Sequence, residues 1–164
     1  RSLVRAGADF IVVPCNSAHY FMPRVFADID VPFIDMIEST ASYIVNQGWQ
    51  RVGLLGGEVT VEAGLYEKHL NRQGVVVSQV SSDDQKLVRK VIEDVKQGKI
   101  TALAVSRMKS LFQILTANGA QSIVLGCTEL QAVVQNIMVD IPIIDSLEVL
   151  AKTAILEATE VAKK

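Results

Sequence analysis

Two distant stretches of this chain are versions of one another, and that repeat limits what the chain can fold into. Gly7-Ala8-Asp9-Phe10-Ile11-Val12-Val13-Pro14-Cys15-Asn16-Ser17 matches Gly119-Ala120-Gln121-Ser122-Ile123-Val124-Leu125-Gly126-Cys127-Thr128-Glu129. In each, Gly-Ala leads into a short apolar run that ends in a cysteine and then polar residues. The match resumes at Asp30-Val31-Pro32-Phe33-Ile34-Asp35 and Asp140-Ile141-Pro142-Ile143-Ile144-Asp145, followed by Glu38 and Glu148. Two matched pairs in the same order point to two halves descended from one unit.

The runs Phe10 to Val13, Val52 to Leu55, Val75 to Val77 and Ile123 to Leu125 are apolar without alternation. Such runs suit strands buried on both faces of a parallel sheet. Between them Leu87, Val91, Ile92 and Val95 have helical spacing, as do Met108, Leu111, Phe112 and Leu115. Gly48, Gly74, Gly98 and Gly119 fall where a helix would stop in a left-handed cap. Strands alternating with helices predict an α/β fold with parallel sheet. The repeat divides it into two similar parallel-sheet α/β halves related by a pseudo-twofold axis, with an active site in the cleft between them. The expected first domain is residues 1–47 plus 147–164, and the second is 48–146. The closing helix from Ser146 would return to the first domain. No Pro- or Gly-rich tether separates them, so the boundary must be a tight crossover.

Composition excludes several classes. A chain of 164 residues, 49% apolar, can bury a core as one domain or two small ones. Sixteen Lys and Arg against eighteen Asp and Glu give a net charge of −2, without a basic run, so neither nucleic acid nor a membrane surface is an expected partner. The apolar runs fall short of a membrane span. Two cysteines make no disulfide framework, CxxC pair or zinc cluster, which fits a reducing cytoplasm and no metal.

A lone cysteine at a strand end is usually packing. Here both cysteines end corresponding strands, and ligands of open α/β sheets bind beyond the carboxyl ends of strands. One thiol on each side of a shared cleft would supply an acid on one face of a carbon and a base on the other. A thiol near a helix N-terminus has a lowered pKa, and the same N–H groups bind a carboxylate. That combination suits α-proton abstraction from an amino acid.

Pro14-Cys15-Asn16-Ser17-Ala18-His19 resembles the PCNTAH segment of aspartate racemases, and Gly126-Cys127-Thr128-Glu129-Leu130 resembles their GCTE segment. The resemblance continues through Val52-Gly53-Leu54-Leu55, Tyr66-Glu67-Lys68, Asp84-Gln85-Lys86 and Val95-Lys96-Gln97-Gly98, covering essentially the whole chain. Glutamate racemases typically follow the second cysteine with Thr-His, so Thr128-Glu129 favours the aspartate branch of the aspartate/glutamate racemase family. The resemblance implies a racemase of a small acidic amino acid, aspartate first and glutamate second. It implies no cofactor, neither pyridoxal phosphate nor a metal, and a homodimer. Cys15 and Cys127 become the catalytic acid/base pair. Asn16, Ser17 and Thr128 would hold the α-carboxylate, with Thr60 and Glu129 also in the binding site. Lys96 would meet the side-chain carboxylate, although it reads equally well as a solvated helix-end charge. His19 reads as a loop residue slightly better than as a donor behind the first cysteine.

The sequence departs from the family at two places. Gly56-Gly57-Glu58-Val59-Thr60 keeps only Thr60 of the family's Thr- and Gly-containing loop, and Glu58 adds a charge that would repel an acidic substrate. The family's opening βα unit, with its GGMS-like turn, and a substrate-binding arginine beyond it have no counterpart, so the sequence is expected to be a fragment lacking the opening part of the first domain. Trp49 is expected to pack at the domain boundary, and Met22, Met36, Met108 and Met138 to fill the core. The Lys and Glu residues of 85–97 and 152–164 read as solvated helix faces. Two alternatives stay open. One is a relative that isomerises maleate, or racemises hydantoins or a broad range of amino acids. The other is a binding module that kept the fold and lost the chemistry.

Overall fold

A computed structural model of the protein describes residues 1–135 and 137–161. In chain order the first half runs α1 (Ser2–Arg5), β1 (Ile11–Val12), a 3-10 turn (Ser17–Tyr20), α2 (Met22–Val25), β2 (Phe33–Ile34) and α3 (Met36–Asn46). Then come β3 (Arg51–Gly56), α4 (Glu58–Glu62), α5 (Leu65–Leu70), a second 3-10 turn (Asn71–Gln73), β4 (Val76–Ser78), α6 (Ser82–Lys96) and α7 (Ala102–Ala117). The chain closes with β5 (Ser122–Gly126), α8 (Leu130–Val134), β6 (Ile143–Asp145) and α9 (Ser146–Val161). Every strand pair is parallel: β1 with β2 in one sheet, and β4-β3-β5-β6 in the other.

The repeat survives as identical pairing. Ile11 opposes Phe33 and Val12 opposes Ile34, while Ile123 opposes Ile143 and Val124 opposes Ile144. Even the hydrogen bond entering each ladder is duplicated: Ile11 N–H donates to the Pro32 carbonyl, and Ile123 N–H to the Pro142 carbonyl, both at 2.9 Å. After each second strand an aspartate receives the first turn of the next helix. Asp35 Oδ1 accepts from Ile37 and Glu38 N–H, and Asp145 Oδ1 accepts from Leu147 N–H. These acceptors satisfy donors that a helix start leaves orphaned. The two helices so begun, α3 and α9, pack on each other.

The central strands β3 and β5 of the four-stranded sheet are covered on both faces, as their unbroken apolar runs predict. Successive residues of a strand face opposite ways. Leu55, Ile123 and Leu125 meet Val88, Val91 and Ile92 of α6 and Met108, Leu111, Phe112 and Leu115 of α7. Val52, Leu54, Val124 and Ile144 meet Ile37, Ala41 and Ile44 of α3 and Leu65, Tyr66 and Leu70 near α5. Each large aliphatic side chain fully buried this way contributes about 1.5–3 kcal/mol. Ser81 and Thr101 cap α6 and α7 through Asp84 and Ala104 N–H at 3.1 Å. Gly119 ends α7 at φ +83, where a side chain would be strained, and Gly48, Gly74 and Gly98 also have positive φ.

Two expectations need correction. Met138 is 97% exposed, not a core residue, although Met36 and Met108 are fully buried. In the smaller sheet Ile11 is buried but Val12 is 36% exposed, and on the edge of the larger sheet Val76 is 44% exposed, so burial on both faces holds for the central strands β3 and β5. Trp49 packs edge-on to Tyr43 at the rim of the core shared by α3 and β3. No helix among the described residues is long and apolar enough to cross a membrane.

Candidate active site

Cys15 and Cys127 lie just past the carboxyl ends of β1 and β5. Register brings the loops around them together. Gly56 and Gly126 are paired at the ends of β3 and β5. A Cβ on Gly56 would stand 3.1 Å from the Gly126 carbonyl oxygen, and one on Gly126 would stand 3.4 Å from Thr60 Cγ2. Thr60, fully buried, shares a 3.1 Å hydrogen bond with Ser17. The residue two beyond Cys15 is therefore tied to a side chain packed against the residue just before Cys127. Gln85 steadies the same corner, its Nε2 donating to the Gly56 carbonyl at 2.9 Å.

Asn16 is buried and makes a second tie. Its Nδ2 donates to Ser146 Oγ at 3.0 Å, its Oδ1 accepts from Tyr66 Oη at 2.6 Å, and Ser146 Oγ donates to the Leu125 carbonyl at 2.8 Å. Burial pushes the Tyr66 phenol far above its usual range, so it stays a neutral donor.

His19 is not a bland loop residue. It is buried, accepts from Met36 N–H at Nε2 (3.0 Å), and so must donate from Nδ1 to the Cys15 carbonyl at 2.8 Å. The ring bolts the Cys15 turn to the start of α3.

The two thiols sit in different surroundings. Cys15 is exposed. Cys127 is partly buried, and its Sγ donates to Glu129 Oε2 at 3.0 Å. Thr128 Oγ1 donates to the same oxygen at 3.1 Å, and Lys96 Nζ lies 3.8 Å from Glu129 Oε1. The sequence reading expects thiols made acidic by helix N-termini. For Cys127 the opposite holds: burial first, then the Glu129 carboxylate, push it up to about 12. The helix that follows, α8, is only five residues long and begins after Glu129. Burial alone would raise Glu129 as well. Hydrogen bonds from Cys127, from backbone and from Thr128, together with the Lys96 charge, outweigh it and hold the carboxyl below its ordinary value.

Lys96 is thus neither buried in the site nor a bare solvated charge. Glu58 is not an unmatched charge, because Arg89 Nη1 pairs with it at 3.1 Å while Arg89 Nε binds Glu93 at 2.9 Å. No cluster of three or more His, Cys, Asp and Glu residues placed for a metal occurs among the described residues. Tyr66, Gln85 and Ser146 are the site residues that sequence reasoning passes over. Tyr66 and Gln85 lie in segments that carry the family resemblance, and Ser146 follows the second copy of the repeat.

Comparison with known proteins assigns a family. The family model described as Asp/Glu/Hydantoin racemase matches residues 1–154. The chain is 32% identical over 154 residues to the broad specificity amino-acid racemase RacX of Bacillus subtilis (strain 168), covering 93% of this chain and 66% of that protein. It is 32% identical over 131 residues to a glutamate racemase of Desulforudis audaxviator (strain MP104C), covering 77% of this chain and 46% of that one. The chain therefore spans less than two thirds of these curated relatives' lengths. An aspartate racemase from Picrophilus torridus superposes with a TM-score of 0.84 at 30% identity, over 96% of this chain and 65% of that one. An aspartate racemase homologue from Pyrococcus horikoshii OT3 gives 0.81 at 27%, over 96% and 70%. With its paired strand-end cysteines and its parallel sheets, the chain belongs to the Asp/Glu/hydantoin racemase family.

Proposed function

We propose that the protein racemises an acidic amino acid, aspartate first and glutamate second, by proton transfer between Cα and two thiols. The observation that carries this reading is the position of Cys15 and Cys127 past repeat-equivalent strands whose loops are tied together through Ser17 and Thr60. The cleft lies between the unit 1–47 plus 147–164 and the unit 48–146. One sulfur takes the α-proton while the opposite thiol gives its own proton to the other face of the carbon. The enantiomer leaves and the two sulfurs have exchanged protonation states. The scheme calls on no cofactor.

Cys127, whose proton is held toward Glu129, rests as the acid, which leaves Cys15 to act as base in that half-reaction. In the reverse direction Cys127 must lose its proton, and Glu129 is the group within reach to take it. The hydroxyls of Ser17 and Thr128 and the N–H groups after each cysteine receive the α-carboxylate, and buried Thr60 holds the Ser17 hydroxyl in place. Lys96 meets the distal carboxylate, in competition with Glu129.

A second reading, turnover of amino acids without a charged side chain, is favoured by that same pair. The Lys96 ammonium already faces an anion, so the cleft does not demand another.

Racemisation of D- and L-aspartate, glutamate and alanine, with α-hydrogen exchange followed in deuterated water, tests both readings. Cys15→Ser and Cys127→Ser should each lower racemisation in both directions by on the order of 10²–10⁴-fold. Exchange should persist with opposite enantiomer preferences, Cys15 serving the D- and Cys127 the L-enantiomer. Near-normal racemisation by either variant would sink the two-thiol scheme, and alanine turned over as fast as aspartate would select the broader reading.

A further inference from the structure

Asn16 directly follows Cys15, and Leu125 lies two residues before Cys127. Between them runs an unbroken set of hydrogen bonds among buried side chains: Tyr66 Oη to Asn16 Oδ1, Asn16 Nδ2 to Ser146 Oγ, and Ser146 Oγ to the Leu125 carbonyl. All three side chains are at most 2% exposed.

The direction of the chain is forced. A serine hydroxyl has one hydrogen, and that of Ser146 goes to a carbonyl that can only accept. Ser146 must therefore accept from its neighbour, so the Asn16 amide turns its nitrogen toward Ser146 and its oxygen toward Tyr66. Tyr66, kept neutral by burial, can donate there. Rotating the amide would set donor against donor, or acceptor against acceptor, at buried sites. One orientation of Asn16 survives, and with it one placement of the turn that carries Cys15.

We propose that Tyr66, Asn16 and Ser146 are positioning residues that set the separation of the two thiols, so that the Asn16 side chain acts as a spacer between the halves. The network reaches the β5 end through a backbone carbonyl and the Cys15 turn through Asn16, so it touches both sides of the cleft without entering it. Abstraction at one sulfur needs only that sulfur and the bound substrate. Inversion needs both sulfurs at once, each at reacting distance from the same carbon. Loosening the spacer should therefore harm inversion more than exchange. The proposal rests on the racemase reading above.

The test compares the unsubstituted protein with Tyr66→Phe and Ser146→Ala in deuterated water, using aspartate. α-Deuteration with retention and with inversion are measured separately, alongside a thermal melt of each variant. Inversion is expected to fall by about 10–10²-fold, the order expected of a displacement near 1 Å. Deuteration with retention should fall far less, so the ratio of retention to inversion should rise at least several-fold in both variants. An unchanged ratio, whether both reactions persist or both fall together, would overturn the proposal. So would both variants melting below the assay temperature, because the network would then serve stability alone. If the unsubstituted protein neither exchanges nor inverts any amino acid tested, the racemase reading fails first and takes this proposal with it.

Discussion

The Cys127 thiol donates to Glu129 Oε2 at 3.0 Å, so the second cysteine carries its own proton acceptor two residues along the chain. Its repeat counterpart, Cys15, is followed at that position by Ser17, which is turned to Thr60 instead.

Alkylation should read this difference directly. A thiol raised from 9.0 to about 12 has roughly a thousandfold less thiolate near neutral pH. Iodoacetamide at pH 8 should label exposed Cys15 first and Cys127 slowly, as peptide mass spectrometry would record. Glu129→Gln removes the anion that holds the proton and should speed labelling of Cys127. Equal labelling rates in the unsubstituted protein would refute the assignment. The sign carries over to stability: the folded state favours the protonated thiol. That contribution is complete below pH 9.0 and is lost as pH rises through about 12.

Lys96→Met should weaken aspartate by about 1.5–3 kcal/mol, the value of a charge-assisted hydrogen bond, and leave alanine nearly untouched. Inhibition constants for succinate and acetate would report the same split. An equal loss on charged and uncharged ligands would remove Lys96 from substrate recognition.

His19→Ala should destabilise the fold by about 1–3 kcal/mol, because it leaves the buried Met36 N–H without its acceptor. Urea denaturation measures this. A change within a few tenths of a kcal/mol would mean that water replaces the ring.

Gly56→Ala should cost about 1–3 kcal/mol through overpacking. Its methyl would meet the Gly126 carbonyl oxygen at 3.1 Å, and that backbone, held in the β3–β5 ladder, has little room to give. Thermal melting tests it, and an unshifted transition would show that the strand ends can part.

Much of this architecture is written locally. Arg51–Gly56 and Ser122–Gly126 stand out because both faces of these strands are buried, so nearly every residue is apolar. The strands Phe33–Ile34 and Ile143–Asp145 are too short for any periodicity, and only the repeat points to them. The side-chain ties could not be read. Asn16 and Ser146 are 130 residues apart, and nothing near either one names the other. His19 looked like a loop residue because its acceptor role depends on a backbone N–H 17 residues away. Lys96 and Glu129 each looked like a separate ligand, yet the fold brings them together before any substrate arrives.

The duplicated ladder has a thermodynamic corollary. D- and L-amino acids have equal free energies in water, so the equilibrium constant of a racemisation is one. The two directions must then have equal kcat/KM, however unlike the groups on the two sides of the cleft. Under the proposed two-thiol reaction, an exposed Cys15 and a Cys127 guarded by Glu129 cannot favour one hand at equilibrium. Whatever one direction gains in kcat it must give back, by the same factor, in KM. The strands repeat and the flanking groups do not, so the imbalance sets which protonation form accumulates between turnovers. It shapes the response to substrate concentration and leaves the racemic endpoint where it was.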